Sequence, residues 1–222
     1  MEYSIIEEAK DFLLSYIKGK DGNEGKGYPW RTDWKFVVRH SYRVAGYGRE
    51  IINGEGNISQ EDNKLIITAC ILHDIGTFDD RKNHAVVGAD IVRDWAAHKS
   101  YLEEKIDTRH LANIIENHTK KTGKEKDKAT AILKDADLLD EIGAMSMIMV
   151  AYGVPANTGD YYERVWKALS EDEWKFLKKK GQKLHTKTGK TIFKQKLKFL
   201  KSVRKQFEYE LMLNGNAEEI EQ

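Results

Sequence analysis

The sequence predicts an all-α protein, and three features carry this prediction. Only two prolines, Pro29 and Pro155, occur in 222 residues, so most of the chain is free to form helix. Apolar residues recur at spacings of three and four along most segments, which is typical of helices with one buried face. Convincing alternation of apolar and polar residues, the mark of a half-buried strand, is missing. We expect a single domain over residues 1–222.

The expected helices follow from these apolar stripes and from residues that cap or break a helix. Asp33, Ser59 and Asn83 are suited to begin helices, and Gly76 is suited to end one. The expected helices are 4–18, about 34–52, one from Ser59 through the apolar run 65–72 to Gly76, one beginning after Asn83, and about 107–119, 127–152, 160–180 and 188–213.

Charge and composition restrict the class of partner. Charged residues make up 33% of the chain but nearly cancel to a net charge of +1, which disfavours nucleic acid as a partner. The sequence contains no apolar stretch of about 18 residues and no signal-peptide pattern at its start, so we expect no membrane association and a cytoplasmic location. The single cysteine, Cys70, is expected to be a small buried side chain. The apolar stripe of the last helix leaves a homo-oligomer open.

Four residues able to bind a metal lie in apolar surroundings. His40 interrupts the packing stripe of its helix, His73 and Asp74 directly follow the run 65–72, and Asp137 lies within ILKDADLL. Each has an ordinary explanation alone: a hydrogen-bonded core histidine, a chance dipeptide or a helix cap. Buried charges are normally paired or metal-bound, however. The four together therefore indicate a metal site.

The chemistry of this set suits a divalent transition metal. Two imidazoles and two carboxylates accept Mn, Fe, Co, Ni or Zn. Neighbouring residues on a helix point about 100° apart. His73 and Asp74 can therefore share a metal only at a helix end, where Gly76 places them.

The order of these residues resembles the HD superfamily. His40, then His73-Asp74-Ile75-Gly76, then Asp137 matches its H…HD…D pattern in the HDIG form. The similarity covers about residues 33–150, and residues 182–213 are similar to the end of small stand-alone bacterial HD hydrolases. The surrounding words that match are HSYRVAGYGREI, ILHDIGTF and LKDADLLDEIGA.

The resemblance implies an all-α fold with a metal held between central helices. It implies a core at about 33–150, with the N-terminal helix and the C-terminal helices packing on it. It also implies hydrolysis of a small phosphorylated substrate by attack of metal-bound water on phosphorus. The implied metal ligands are His40, His73, Asp74 and Asp137, and Asp74 or Asp137 also has a catalytic role in orienting the nucleophile.

Two further histidines leave the number of ions open between one and two. In two-metal HD proteins, extra histidines occupy places comparable to those of His84 and His118, and Asp74 would then bridge the ions. Both also suit capping, hydrogen bonding or substrate contact. The double-His and GYP signature of cyclic-di-GMP phosphodiesterases is absent after His118, which disfavours that subfamily.

Two basic residues are candidates for substrate contact. Arg43 lies three residues after His40, and Lys134 lies three residues before Asp137, so each shares a helix face with a candidate ligand. An arginine there suits a bidentate phosphate contact, although surface salt bridges explain both residues equally well. His98, His110 and His185 match no ligand position and are expected at the surface.

The sequence favours hydrolysis of a small phosphorylated metabolite, with a nucleotide as the first candidate. It leaves open whether phosphate or pyrophosphate is released. Two alternatives stand beside this function. One is a di-iron oxygenase, which some HD proteins are, and the other is a non-catalytic sensor that binds a metal or a nucleotide.

Overall fold

The prediction of an all-α protein is confirmed by a computed structural model that describes residues 4–22, 28–99, 101–120 and 125–212. Within these residues, the β structure is one isolated bridge between Asp21 and Asp33. A 3₁₀ turn spans Pro29–Thr32. The helices are α1 (Ile5–Ile17), α2 (Trp34–Glu55), α3 (Gln60–Leu72), α4 (His84–Ala97), α5 (Leu102–Lys105), α6 (Thr108–Asn117), α7 (Lys128–Asp140), α8 (Ala144–Gly153), α9 (Tyr161–Ser170), α10 (Asp172–Gly181) and α11 (Lys187–Met212).

Two of the three predicted helix caps form as expected. The Asp33 side chain accepts a hydrogen bond from the Lys35 amide, and Ser59 Oγ accepts one from the amide of Asp62. The Asn83 side chain makes no such bond and donates instead to Asp80 Oδ2 at 2.8 Å. The Asn83 side chain is therefore bonded to Asp80 in the turn before α4 and does not cap that helix.

Two of the predicted helices are each divided in the structure. The pattern over 127–152 becomes α7 and α8, because Gly143 adopts a left-handed backbone with φ of 96°. The pattern over 160–180 becomes α9 and α10, with an interruption at Glu171. Apolar spacing continues across both breaks, which is why the periodicity alone did not reveal them.

The centre of the core is α3, which packs against α1, α2, α6 and α7. Every side chain from Leu65 to Leu72 is buried, and each large apolar one contributes about 1.5–3 kcal/mol relative to exposure. Gly48 of α2 allows a close approach, since a Cβ there would lie 2.9 Å from the sulfur of Cys70. Cys70 is free and fully buried, as its apolar neighbourhood predicted.

The chain divides into two compact units. One comprises Met1–Asp140 with Lys183–Gly189, and the other comprises Glu141–Gln182 with Lys190–Gln222. All the candidate site residues belong to the first unit. The single domain expected over 1–222 stays a prediction beside this division. No helix in the described part of the chain combines the length and apolar character needed to cross a membrane.

Candidate metal centre

The first unit brings the six candidate ligands to one place, although they come from five separate segments of the chain. One lies in the middle of α2, two follow α3, one opens α4, one follows α6 and one lies near the end of α7. In that order, the residues are His40, His73 and Asp74, His84, His118 and Asp137.

The His40 side of this cluster consists of His40, His73 and Asp137. The Nε2 atom of His40 lies 3.2 Å from Nε2 of His73 and 3.4 Å from Oδ1 of Asp137. Asp74 approaches the same atoms through Oδ2, which is 3.6 Å from His40 Nε2 and 3.5 Å from His73 Nε2. Four nitrogen and oxygen atoms therefore converge on a common space.

The His84 side consists of His84 and His118, and it meets the other oxygen of Asp74. Their Nε2 atoms are 3.3 Å apart. Oδ1 of Asp74 lies 3.3 Å from Nε2 of His84 and 3.6 Å from Nε2 of His118. The Asp74 carboxylate thus lies between two groups of imidazoles and presents one oxygen to each.

These spacings fit metal coordination. Two ligand atoms about 2.1 Å from one ion are about 3.4 Å apart in a tetrahedron and about 3.0 Å apart at neighbouring corners of an octahedron. The separations within the His40 side run from 3.2 to 3.9 Å, which is near and somewhat above these values and below the about 4.2 Å between ligands on opposite sides of one ion. The chemistry of the donors agrees, because imidazole nitrogen and carboxylate oxygen suit a divalent transition metal.

The hydrogen bonds on the other side of the rings fix which nitrogen faces the cluster. Each Nδ1 atom lies 2.6–2.9 Å from an oxygen acceptor. A carbonyl or carboxylate oxygen accepts the Nδ1 proton, so the Nε2 lone pair of the neutral ring points into the cluster. The pairs are His40 with Asp140 Oδ2, His73 with Cys70 O, His84 with Arg81 O, and His118 with Ile115 O.

This arrangement calls for a cation. In the neutral tautomers, the Nε2 lone pairs of His84 and His118 face each other across 3.3 Å without a proton between them. Lone pairs held so close repel unless a positive charge lies beside them. The residues present therefore fit a divalent metal on both sides of Asp74.

The electrostatics of the cluster point the same way. Burial disfavours a charged ring at His40, but hydrogen bonds to Asp137 and Asp140 and the nearby carboxylate charges raise its pKa to about 10. Burial lowers the pKa of His73 to about 4. Burial also opposes the charge of Asp74, yet the surrounding imidazoles hold its pKa well below the usual range. A proton on His40 thus offsets carboxylate charge when a metal is not bound.

Two residues behind His40 form a contact that sequence reasoning did not predict. Asp140, at the end of α7, accepts the Nδ1 proton of His40 and also binds Arg43 through two hydrogen bonds. A signal was present in the sequence: Asp140 follows Asp137 by three residues, and Arg43 follows His40 by three, so each pair shares a helix face.

Lys134 lies elsewhere. Its side chain is 5% exposed, and Nζ lies 2.6 Å from Oε2 of Glu125. The structure therefore gives it an acidic partner and does not bring it into the cluster, so its role in substrate binding stays a prediction. Of the histidines expected at the surface, His98 is exposed, whereas His110 and His185 are half-buried. His110 pairs with Asp127 at 3.2 Å.

Gly76 does not end the helix as predicted, since α3 ends at Leu72, but Gly76 has another function. A Cβ at this position would lie 2.6 Å from the backbone nitrogen of Gly88 and 2.6 Å from the carbonyl oxygen of His84. Both neighbours are backbone atoms of α4, which cannot move as a flexible side chain does. The absence of a side chain at Gly76 therefore lets His84 approach Asp74.

The comparisons agree with this geometry. Residues 37–142 match the model of the HD domain. A crystal structure of a predicted HD superfamily hydrolase from an uncultured Thermotogales bacterium superposes with a TM-score of 0.60 at 20% identity, covering 94% of each chain. A crystal structure of a Lactobacillus plantarum protein gives 0.53 at 17% identity, covering 94% of this chain and 97% of that one. At these identities, the likeness concerns the fold.

None of the curated proteins matches the sequence. The family therefore follows from the domain match together with the residues that it contains. The matched range includes all six residues of the cluster, from His40 on α2 to Asp137 on α7. Residues 37–142 form an HD domain, so this part of the chain belongs to the HD superfamily, whose domain is metal-dependent.

Proposed function

We propose that this protein is a phosphohydrolase with two divalent metal ions, acting on a nucleotide. The observation that carries this proposal is the position of Asp74, whose Oδ2 faces His40 and His73 while Oδ1 faces His84 and His118. Divalent ions held by these residues would supply a Lewis acid for phosphoryl oxygens and would lower the pKa of water.

Three side chains of the cluster meet solvent. Those of Asp74, Asp137 and His84 are 19%, 17% and 22% exposed, whereas that of His73 is 1% exposed. A substrate and a water molecule therefore reach the cluster from the face that Asp74, Asp137 and His84 form. Asp74 and Asp137 are acceptors that orient the proton of an attacking water, and the buried His73 holds the cluster from behind.

An aromatic side chain beside the cluster supports a nucleotide over a sugar phosphate. Phe36 lies one turn before His40 on α2, and its ring is parallel to the His40 imidazole with centroids 6.2 Å apart. The Phe36 side chain is half-buried, which leaves part of its surface to solvent. A nucleobase stacks on such a ring with about 1–3 kcal/mol of binding free energy, whereas a sugar phosphate has no base to stack there.

A di-iron oxygenase is the second candidate, because the same bridging position of Asp74 suits two iron ions. The two functions differ in what they consume. An oxygenase takes up O₂ and absorbs visible light when loaded with iron, whereas a phosphohydrolase releases phosphate or pyrophosphate with Mn²⁺ and needs no O₂.

The test is a panel of nucleotides and sugar phosphates with added Mn²⁺, in which phosphate and pyrophosphate release are both measured. We expect release by the natural protein, its loss in Asp74→Ala, and retention in Asp94→Ala, an exposed aspartate on α4. Phe36→Leu should lower kcat/KM for nucleotides by roughly 10-fold or more and leave sugar phosphates unchanged. No release from any substrate, with metal still bound, would reject hydrolysis and direct attention to oxygen uptake.

A further inference from the structure

Arg43 and Asp140 form an ion pair behind His40, on the side of the ring that faces away from the metal cluster. Arg43 Nε lies 2.7 Å from Asp140 Oδ1, and Nη2 lies 2.9 Å from Oδ2. The same Oδ2 accepts the Nδ1 proton of His40 at 2.7 Å. The Asp140 side chain has no exposed surface, while that of Arg43 is about one-third exposed.

The partner of Nδ1 distinguishes His40 from the other histidines of the cluster. His73, His84 and His118 donate to backbone carbonyl oxygens, whereas His40 donates to a carboxylate. A carboxylate partner fixes the tautomer and ring orientation of a metal-binding histidine and makes Nε2 a stronger electron-pair donor. Asp140 therefore acts directly on how His40 presents Nε2 to the cluster.

Arg43 is committed to Asp140 by its geometry. Its Nε and Nη2 atoms form an edge of the guanidinium suited to a bidentate bond with a carboxylate or a phosphate. That edge already bears Asp140. Asp140 would otherwise be a fully buried carboxylate held by His40 alone, and a buried charge needs a charged, hydrogen-bonded partner.

We propose that Asp140 is a positioning residue for His40, and that Arg43 acts through Asp140 instead of binding the substrate phosphate. This role goes beyond the proposed function and rests on it only in so far as His40 is a metal ligand. Arg43 holds Asp140 in place, Asp140 fixes the ring of His40, and His40 would bind the metal. This proposal is an alternative to the substrate-binding role that the sequence predicted for Arg43, and the experiment below distinguishes the two.

The experiment measures Mn²⁺ affinity by calorimetry on protein stripped with a chelator, and kcat and KM on the reloaded protein. Asp140→Asn removes the negative charge of the side chain and keeps its shape. Arg43→Lys keeps the positive charge and removes the guanidinium edge that makes two hydrogen bonds to Asp140. The double variant tests whether both act in one chain. Arg39→Lys is the matched control, since Arg39 is an exposed arginine on the same helix. Circular dichroism checks that each variant is folded.

We expect Asp140→Asn and Arg43→Lys each to weaken Mn²⁺ binding, by roughly 10–100-fold for Asp140→Asn. At saturating Mn²⁺, KM should stay near the natural value. The double variant should bind Mn²⁺ about as weakly as Asp140→Asn alone, because Arg43 acts through that carboxylate. Spectra of ¹⁵N-labelled histidine should report a change of tautomer at His40 in Asp140→Asn, and Arg39→Lys should change nothing.

Two results separate this role from the proposed function. In the first, the natural protein hydrolyses no phosphate ester, but the variants still bind Mn²⁺ more weakly. This result would reject the hydrolase and leave the positioning role intact. Natural Mn²⁺ affinity in Arg43→Lys, with a raised KM, identifies Arg43 as a substrate clamp and overturns the positioning role. If Asp140→Asn does not fold, Arg43→Lys decides by the same titration.

Discussion

The two sides of Asp74 are built differently. On the His40 side, His40 and His73 are buried, and a carboxylate backed by an arginine supports one of the rings. On the His84 side, backbone carbonyls support both rings, and the His84 side chain is 22% exposed. The comparison indicates that one half of the centre is held by packing and charge. In the other half, the partly exposed His84 depends on where α4 begins, whereas His118 is buried directly after α6.

The largest effect is expected on the His40 side. His73 is fully buried, and its donor atom lies within 4.8 Å of donor atoms from both sides. It forms one close group with His40 and Asp137 and another with Asp74 and His118. His73→Ala should therefore disturb both ions and lower kcat/KM by roughly 10³-fold, which corresponds to the several kcal/mol that a metal supplies. Turnover assays and elemental analysis of the dialysed protein test this, with His98→Ala as an exposed control. Natural turnover in His73→Ala would contradict it.

A smaller effect is expected on the His84 side. His84→Ala should lower the metal content from two ions per chain to one and reduce turnover without abolishing metal binding, because the His40 side keeps its own donors. Metal content by mass spectrometry after dialysis is the measurement. If His84→Ala loses both ions together, the two sides are not separable and the comparison fails.

The link between α4 and the His84 side can be tested through its stability. Gly76→Ala places a Cβ 2.6 Å from two backbone atoms of α4 and should lower the free energy of unfolding by about 3 kcal/mol. Gly88→Ala meets its neighbours at 3.4–3.5 Å, an ordinary contact, and should be neutral or stabilising by up to about 1 kcal/mol. Urea unfolding measures both. Equal stabilities would show that the close approach at Gly76 is not required.

The smallest effect is expected away from both sides. Lys134→Met replaces a buried lysine whose partner is Glu125, so metal content and KM should stay within about twofold of natural values. The free energy of unfolding should fall by about 1–3 kcal/mol, because Glu125 loses its partner. A large rise in KM would restore Lys134 as a substrate contact and extend the centre along α7.

The sequence predicted those parts of this centre that show as local patterns of residues, and it did not predict contacts between residues far apart along the chain. His40 and Asp137 were recognisable because each places a polar group among apolar residues, and His73 because it directly follows the run 65–72, whose largely apolar character also predicted α3. The contact of Asp140 with His40 joins residues 100 positions apart. Such a contact depends on how α2 packs on α7, which periodicity does not encode.

Local chemistry explains the remaining differences. Glycine occurs both inside and outside helices, so the sequence did not reveal that Gly143 adopts a left-handed backbone that separates α7 from α8. Lys134 shares a helix with Asp137, but its long side chain reaches Glu125, which lies nine residues before it. A position on a helix face restricts where a side chain begins, and the position of its charged end depends on its partners.

The most direct test of the central claim is anomalous diffraction from crystals of the protein grown with Mn²⁺. We predict two peaks, one on each side of the Asp74 carboxylate. The first should lie beside Oδ2, among His40, His73 and Asp137, and the second beside Oδ1, with His84 and His118. Peaks that do not contact Asp74, or a single ion with His84 and His118 turned away from it, would contradict a centre bridged by this residue.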